Sequence, residues 1–424
     1  MNGKNNKRIV ITGIGMISPL GKSKNRFWSG LKNGKTAVKR ISNFATRNKT
    51  GYPKFAAEVD NFKVARYFGK DRWKYYGRST QFALAAAKLA MDDAKLKYPV
   101  AKKKCGNIGL SLGIHLGSLQ QSYIYEEDIR LEGPKHVVPM RFANGSPNVS
   151  ASHISIRLNI KGFNSTVSSA SASSLQSIYI AASMIQNQGY TSALAGGTQE
   201  LTNIEFFNLG HQNCLAGMNV PGKGSRGISR PYDIKRNGLI PGEGACIFVL
   251  EELSHAQKRN AKIYCEIKGY AENNSIANPS GRTISSNKKY LQQVMTSAIA
   301  DADSNINNVG GIIGSANSTI RADRMEAKAI EDLSSLSCNK PYVTSIKANI
   351  GETFAASGAF NLAAGIGTLK TGFFPHVKNL AKLDPRINVN AVKDNYIKKD
   401  ISSVMINAFG YKGINASLIV GKVC

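Results

Sequence analysis

Ser171 has the setting of a nucleophile. It lies in Thr166-Val-Ser-Ser-Ala-Ser-Ala-Ser-Ser, a strand-like run that opens into a helical pattern. Leu175, Ile178, Ala182 and Ile185 recur at helical spacing behind it. A group at such a strand-to-helix turn faces the positive end of the helix dipole and backbone N–H donors, which favours a thiolate. A serine hydroxyl gains far less there and needs an adjacent general base. The question is therefore whether this turn does chemistry or only keeps the shape for it.

The elements that must position Ser171 come in two series. The first runs RIVITGIGMIS, NIGLSLGIHLG, SALAGGTQE and GACIFVLEE; the second runs AKIYCEIKGYA, VGGIIGSANST, YVTSIKANIG and SVMINAFGYKG. Each apolar strand candidate ends in a glycine-rich turn. Helical patterns alternate with them, at 79–96 and 286–302 among others. Strands alternating with helices predict an α/β protein with mostly parallel sheets. The echo between the series predicts a duplicated unit, with halves over 1–255 and 256–424 and a site where they meet. Thr12-Gly13-Ile14-Gly15-Met16-Ile17-Ser18 imitates a dinucleotide fingerprint after a strand. The third glycine position is Ser18, Pro19 follows, and no acidic residue ends a second strand, so a nucleotide site is not expected there.

The 424 residues are 42% hydrophobic and 20% charged, which suits a large compact fold rather than a disordered chain. No apolar run approaches the roughly 18 residues of a membrane span. Lys4, Lys7 and Arg8 before a glycine-interrupted apolar stretch imitate a signal peptide. No small-residue cleavage site follows before Arg26-Phe27-Trp28, so we read a first strand and expect a cytoplasmic protein. Six cysteines without paired spacing argue against a disulfide framework or a zinc site. The net charge of +29 is spread along the chain rather than gathered in a tail. It points to an acidic protein partner or to compositional bias before nucleic acid.

Several segments carry a family resemblance along nearly the whole length. They are RIVITGIGMISPLG and FWSGLKNGKTAV, the SASAS turn, ALAGGTQE, SRPYDIKRNGLIPGEGACIFVLEELSHAQKRNAKIYCEI, TSIKANIGE and NAFGYKGINASLIV. In these the chain resembles the β-ketoacyl-acyl-carrier-protein synthases of the thiolase superfamily. The resemblance implies a thiolase-type fold, two similar α/β halves in a five-layer αβαβα arrangement, and a two-fold dimer. It implies no cofactor and no metal, since substrates ride on the phosphopantetheine of an acyl carrier protein.

That family uses a cysteine to take an acyl group and two histidines to assist decarboxylation and hold the enolate oxygen. Here the cysteine position reads Ser171. The first histidine position, eight residues before Asp323 of Asp323-Arg-Met-Glu326, reads Ser315, and the second reads Glu352. Lys347 is retained. A carboxylate at position 352 would repel a developing oxyanion, or could pair with Lys347. The glycine-rich gating loop survives as Phe409-Gly410-Tyr411, with Lys412 where the family has glycine. None of the six histidines falls in the three motifs. His153 matches a histidine of a family helix and reads as structural. By resemblance, Ile114, His115, Met140 and Arg141 occupy tunnel or interface positions.

Three degenerate positions in one site resemble most a chain length factor, the ketosynthase β subunit of a type II polyketide synthase. Such a subunit pairs with a cysteine-bearing ketosynthase α subunit and sets how far a polyketide or polyene chain grows. Serine in place of the glutamine of many chain length factors departs from the aromatic-polyketide branch and leaves polyene-forming relatives open. The other readings are a serine-dependent acyltransferase, or divergent synthase, using Ser171 with Glu352 as base, and a stand-alone binder of acyl chains or carrier protein.

Overall fold

The computed structural model describes residues 7–44, 53–218, 228–275, 287–335, 337–338, 340–410 and 413–423. Tyr411 and Lys412 of the gating loop lie outside these residues. Ten strands form one sheet: β1 Ile9–Ile17, β2 Ile108–Ile114, β3 Asn164–Ser168, β4 Ser192–Gln199, β5 Gly244–Glu252, β6 Cys265–Asn274, β7 Gly311–Ile313, β8 Tyr342–Thr344, β9 Ser403–Phe409 and β10 Ile414–Gly421. The helices that position the site are α1 Arg78–Asp93, α2 Leu119–Glu132, α3 Pro139–Gly145, α4 Val149–Leu158, α5 Ser173–Gln188, α6 Asn203–His211, α7 Lys288–Asp301, α8 Ile320–Ser334 and α9 Ser357–Thr371.

The strand order is β8-β7-β9-β10-β6-β1-β5-β4-β2-β3. Reading outward from the β1–β6 contact, each side repeats the same pairing: antiparallel, antiparallel, parallel, parallel. The duplication expected from the two strand series is thus an exact topological repeat, and β1 joins the halves through antiparallel pairing of Ile9 with Ile267. The link between β5 and β6 includes a short helix, Leu253–Lys258, and the boundary expected after residue 255 falls inside it.

The expectation of mostly parallel sheets needs correction, because five of the nine strand pairs are antiparallel and four parallel. β9 and β10 are joined by a connection too short for a crossover helix, so they can only run antiparallel. The two helical patterns hold with ends shifted by one to three residues, as Arg78–Asp93 and Lys288–Asp301.

Helices cover both faces, which is why all nine residues of β1 are buried, eight of them apolar or glycine and the ninth, Thr12, bonded to Glu251. α1 and α4 pack outside the first half, α7 and α8 outside the second, and α5 against α9 lie between the halves. Glycine permits the closest of these contacts: a Cβ on Gly15 would sit 1.9 Å from the Ala86 carbonyl of α1, and one on Gly269 2.4 Å from the Ala298 carbonyl of α7. The same device appears in both halves. No helix among the described residues is long and apolar enough to cross a membrane.

Candidate functional site

Each half presents a tight turn to the other. In the first half, β3 runs into the turn Ala170–Ala172 and then α5; in the second, β8 leads through Lys347–Ile350 to the turn Phe354–Ala356 and then α9. Both turns begin at a non-glycine residue with positive φ, +50° at Ala170 and +35° at Phe354. The first is braced by Ser173, whose hydroxyl accepts the Ser169 N–H at 2.8 Å and lies 2.7 and 2.9 Å from the carbonyls of Ala170 and Ile114. Ser171 therefore faces the second half and is 4% exposed.

The group it meets is Glu352. The Glu352 backbone is clamped to the first half, its N–H donating to Ile240 at 2.7 Å and its carbonyl accepting from Gly242 at 2.8 Å. Four donors converge on the side chain. Oε1 accepts from Lys347 Nζ at 3.1 Å, from the Phe354 N–H at 2.9 Å and, loosely, from Ser171 Oγ at 3.5 Å. Oε2 accepts from Asn317 Nδ2 at 3.0 Å. Lys347 and Glu352 are each 1% exposed, so the pair is dry and held in place by its hydrogen bonds.

Ser315 has a different occupation. Its N–H donates to Glu326 at 2.8 Å, and its hydroxyl accepts the Phe409 N–H at 2.9 Å. It ties Phe409, at the end of β9, to the segment after β7. Gly410 lies close by, where a Cβ would be 3.0 Å from the Ser169 carbonyl. Asp323 and Glu326 of α8 serve the scaffold. Asp323 accepts the N–H groups of Tyr232, Asn317 and Ser318, and Glu326 accepts from Asn407 and the Tyr232 hydroxyl. Burial pushes Asp323 up to about 7, against the pull of nearby Arg236.

His115 stacks on the Phe354 ring, with centroids 5.2 Å apart and planes at 13°. Burial pushes it down to about 4. Its Nε2 is 3.8 Å from Glu205 of α6, which burial, with help from Glu200, pushes up to about 8. Burial thus favours the uncharged form of both groups. Ile114 lies elsewhere: its side chain is 2% exposed within the apolar layer between β2 and the outer helices, and only its carbonyl reaches the turn.

Met140 and Arg141 sit on α3, away from the turn. Arg141 pairs with Asp128 of α2 at 3.3 Å and lies over the Tyr75 ring. His153 bonds Asn144 at 2.9 Å and packs at a 45° tilt on Tyr76, and burial lowers its pKa. The structure brings together Ser171, Glu352, Lys347, Ser315 and Phe409, with His115 at the margin; Met140, Arg141 and His153 form a separate group. Sequence reasoning did not find Asn317, Phe354 or Glu205. Asn317 had one local signal, its place two residues after Ser315 at the same strand end.

Chemically, the site offers a hydroxyl beside a carboxylate already held by three stronger donors. A thiolate at position 171 would meet negative charge, and no imidazole stands at positions 315 or 352 to hold an oxyanion.

Comparison with known proteins agrees with this architecture. Residues 6–256 match the family model of the Beta-ketoacyl synthase, N-terminal domain, and residues 264–381 that of the Beta-ketoacyl synthase, C-terminal domain. The chain is 28% identical over 421 residues to 3-oxoacyl-[acyl-carrier-protein] synthase 2 of Coxiella burnetii, covering 98% of this chain and 99% of that one. Among solved structures it is similar to a β-ketoacyl synthase from Burkholderia phymatum, with TM-score 0.89 and 26% identity over 99% of this chain and 100% of that one. It is also similar to the ishigamide ketosynthase/chain length factor, with TM-score 0.88 and 25% identity at the same coverage. With matched models over most of its length and a duplicated sheet that carries the elbow, the chain belongs to the β-ketoacyl synthase family.

Proposed function

We propose that this chain is a non-catalytic ketosynthase subunit, a chain length factor that pairs with a cysteine-bearing ketosynthase. The observation that carries this reading is the Glu352 carboxylate, buried beside Ser171 and tied to Lys347 and Asn317. Catalysis of carbon–carbon bond formation needs neutral donors where negative charge develops; this site holds a fixed negative charge instead. The similarity to the ishigamide ketosynthase/chain length factor supports the same reading.

A face suited to a partner is present. β3 ends the sheet with no strand on its outer side among the described residues. On the same half, α2 packs against α3 and buries only Gln121 of its 14 residues. Tyr123, Ile129, Leu131, Phe142 and Ile156 are exposed around it. An unpaired strand edge with exposed apolar side chains is the surface that a second subunit covers. Met140 and Arg141 lie on this face, where they would meet the partner's tunnel. The acyl carrier protein is the proposed third component, drawn to the basic surface of a chain with net charge +29.

The test is co-expression with a cysteine-bearing ketosynthase and carrier protein, followed by mass spectrometry of each subunit. We expect the acyl group on the partner's cysteine and nearly unchanged product from Ser171→Ala complexes. The second reading, a serine-dependent acyltransferase, is favoured by the 3.5 Å approach of Ser171 to Glu352. Under it, acyl mass appears on Ser171 and Ser171→Ala abolishes turnover.

A further inference from the structure

At the opposite end of β2 from the elbow lies a cavity of about 750 Å³. Ile108, the first residue of β2, lines it, whereas Ile114 at the other end of the strand reaches the Ser171 turn. Six strand steps put the two sites roughly 20 Å apart. The cavity therefore does not belong to the acyl site.

Its walls differ in chemistry. Leu96, Val100, Ala101 and Ile108 form an apolar side, and Lys95, Lys97, Lys104, Arg259 and Lys262 bring five cations against a single carboxylate, Asp93. Much of that charge is already committed. Arg259 grips Glu251 through two nitrogens and the Ala94 carbonyl through the third. Asp93 is occupied by the Ile14 N–H, Tyr264 and Lys24. Lys262 donates to the Tyr264 hydroxyl at 2.9 Å. The side chains of Lys95, Lys97 and Lys104 have no ion pair or hydrogen bond among the described residues. All three are exposed, so their ammonium groups are available to an entering anion.

The loops that carry them are set in advance. Lys95 and Asn260 both take left-handed conformations just past a helix end, and the Leu96 N–H closes onto Met91 at 2.9 Å while that of Ala261 closes onto Ala256 at 2.9 Å. A site that is already shaped costs less ordering on binding. The volume falls within the range of small-molecule sites, and an apolar wall with a few convergent charges is their usual composition.

We propose that this cavity binds a small phosphorylated organic molecule, its apolar body against Leu96, Val100 and Ile108 and its phosphates against Lys95, Lys97 and Lys104. The probe is ADP, with inorganic pyrophosphate as the anion that lacks the apolar body, titrated calorimetrically into the full chain at low salt. We expect one ADP per chain, weakening as salt screens the charges. Pyrophosphate should bind at least tenfold more weakly, and Lys97→Glu with Lys104→Glu should weaken ADP at least tenfold at unchanged melting temperature. Both lysines are exposed, so the variant folds. Absence of saturable ADP binding, or equal binding by the variant, overturns the site. Pyrophosphate binding as tightly as ADP overturns the role of the apolar wall. If Lys95 and Lys97 serve only to neutralise the C-terminal end of α1, the variant loses melting temperature and ADP does not bind.

Discussion

Lys347 Nζ and Glu352 Oε1 lie 3.1 Å apart with both side chains 1% exposed. The ion pair is internal to the second half, but its carboxylate reaches across to Ser171 of the first. The resemblance implies a histidine at this position; the structure shows a buried carboxylate paired with Lys347.

Breaking this pair from one side should cost more than removing it. Lys347→Met strands a dry carboxylate and Glu352→Gln strands a dry ammonium, each expected to lower unfolding free energy by about 3–5 kcal/mol. The double variant leaves neither charge, so its loss should be well below the sum of the two. Urea denaturation of all four proteins gives the coupling directly; simple additivity would mean that the pair is not dry in solution.

The sequence made the strands legible because each is an apolar run closed by glycine, and the family resemblance singled out Ser171, Ser315 and Glu352. The contacts that define the site were not legible. Asn317 is 35 residues from Glu352, and Ser171 is 181 residues from it, so no local pattern records either meeting. Glu205 and His115 belong to different elements and meet only because α6 packs beside the end of β2. The antiparallel pairs escaped for a similar reason: alternation of strands and helices reports crossovers, and the β9–β10 connection contains none.

A cysteine restored at position 171 should be a poor nucleophile. The Glu352 carboxylate at 3.5 Å disfavours a thiolate there, even with the helix dipole of α5 behind it. We expect Ser171→Cys to react slowly with iodoacetamide at neutral pH. Adding Glu352→Gln should speed alkylation about tenfold, the effect of one unit of thiol pKa. Equal rates in the two variants would show that Lys347 already cancels the carboxylate at this point.

The pair of His115 and Glu205 should leave opposite marks on stability. Glu205 is raised from its ordinary 4.5 to about 8, chiefly by burial and then by Glu200, so the folded chain holds this proton more tightly than the unfolded chain. Its contribution is full at low pH and is lost as pH climbs from about 4.5 to 8. His115 is lowered from 6.5 to about 4 by burial, with Glu352 opposing, so its contribution is present above 6.5 and lost as pH falls toward 4. Below 6.5 the two slopes oppose each other; above it only that of Glu205 remains. Glu205→Gln retains an acceptor for Gln199 and removes the titration. Relative to the parent, we expect it to raise the melting temperature at pH 8, with the difference shrinking toward pH 5. His115→Gln should instead flatten the acid side alone. Parallel melting curves for parent and Glu205→Gln across this range would place the Glu205 carboxyl in water rather than in the protein.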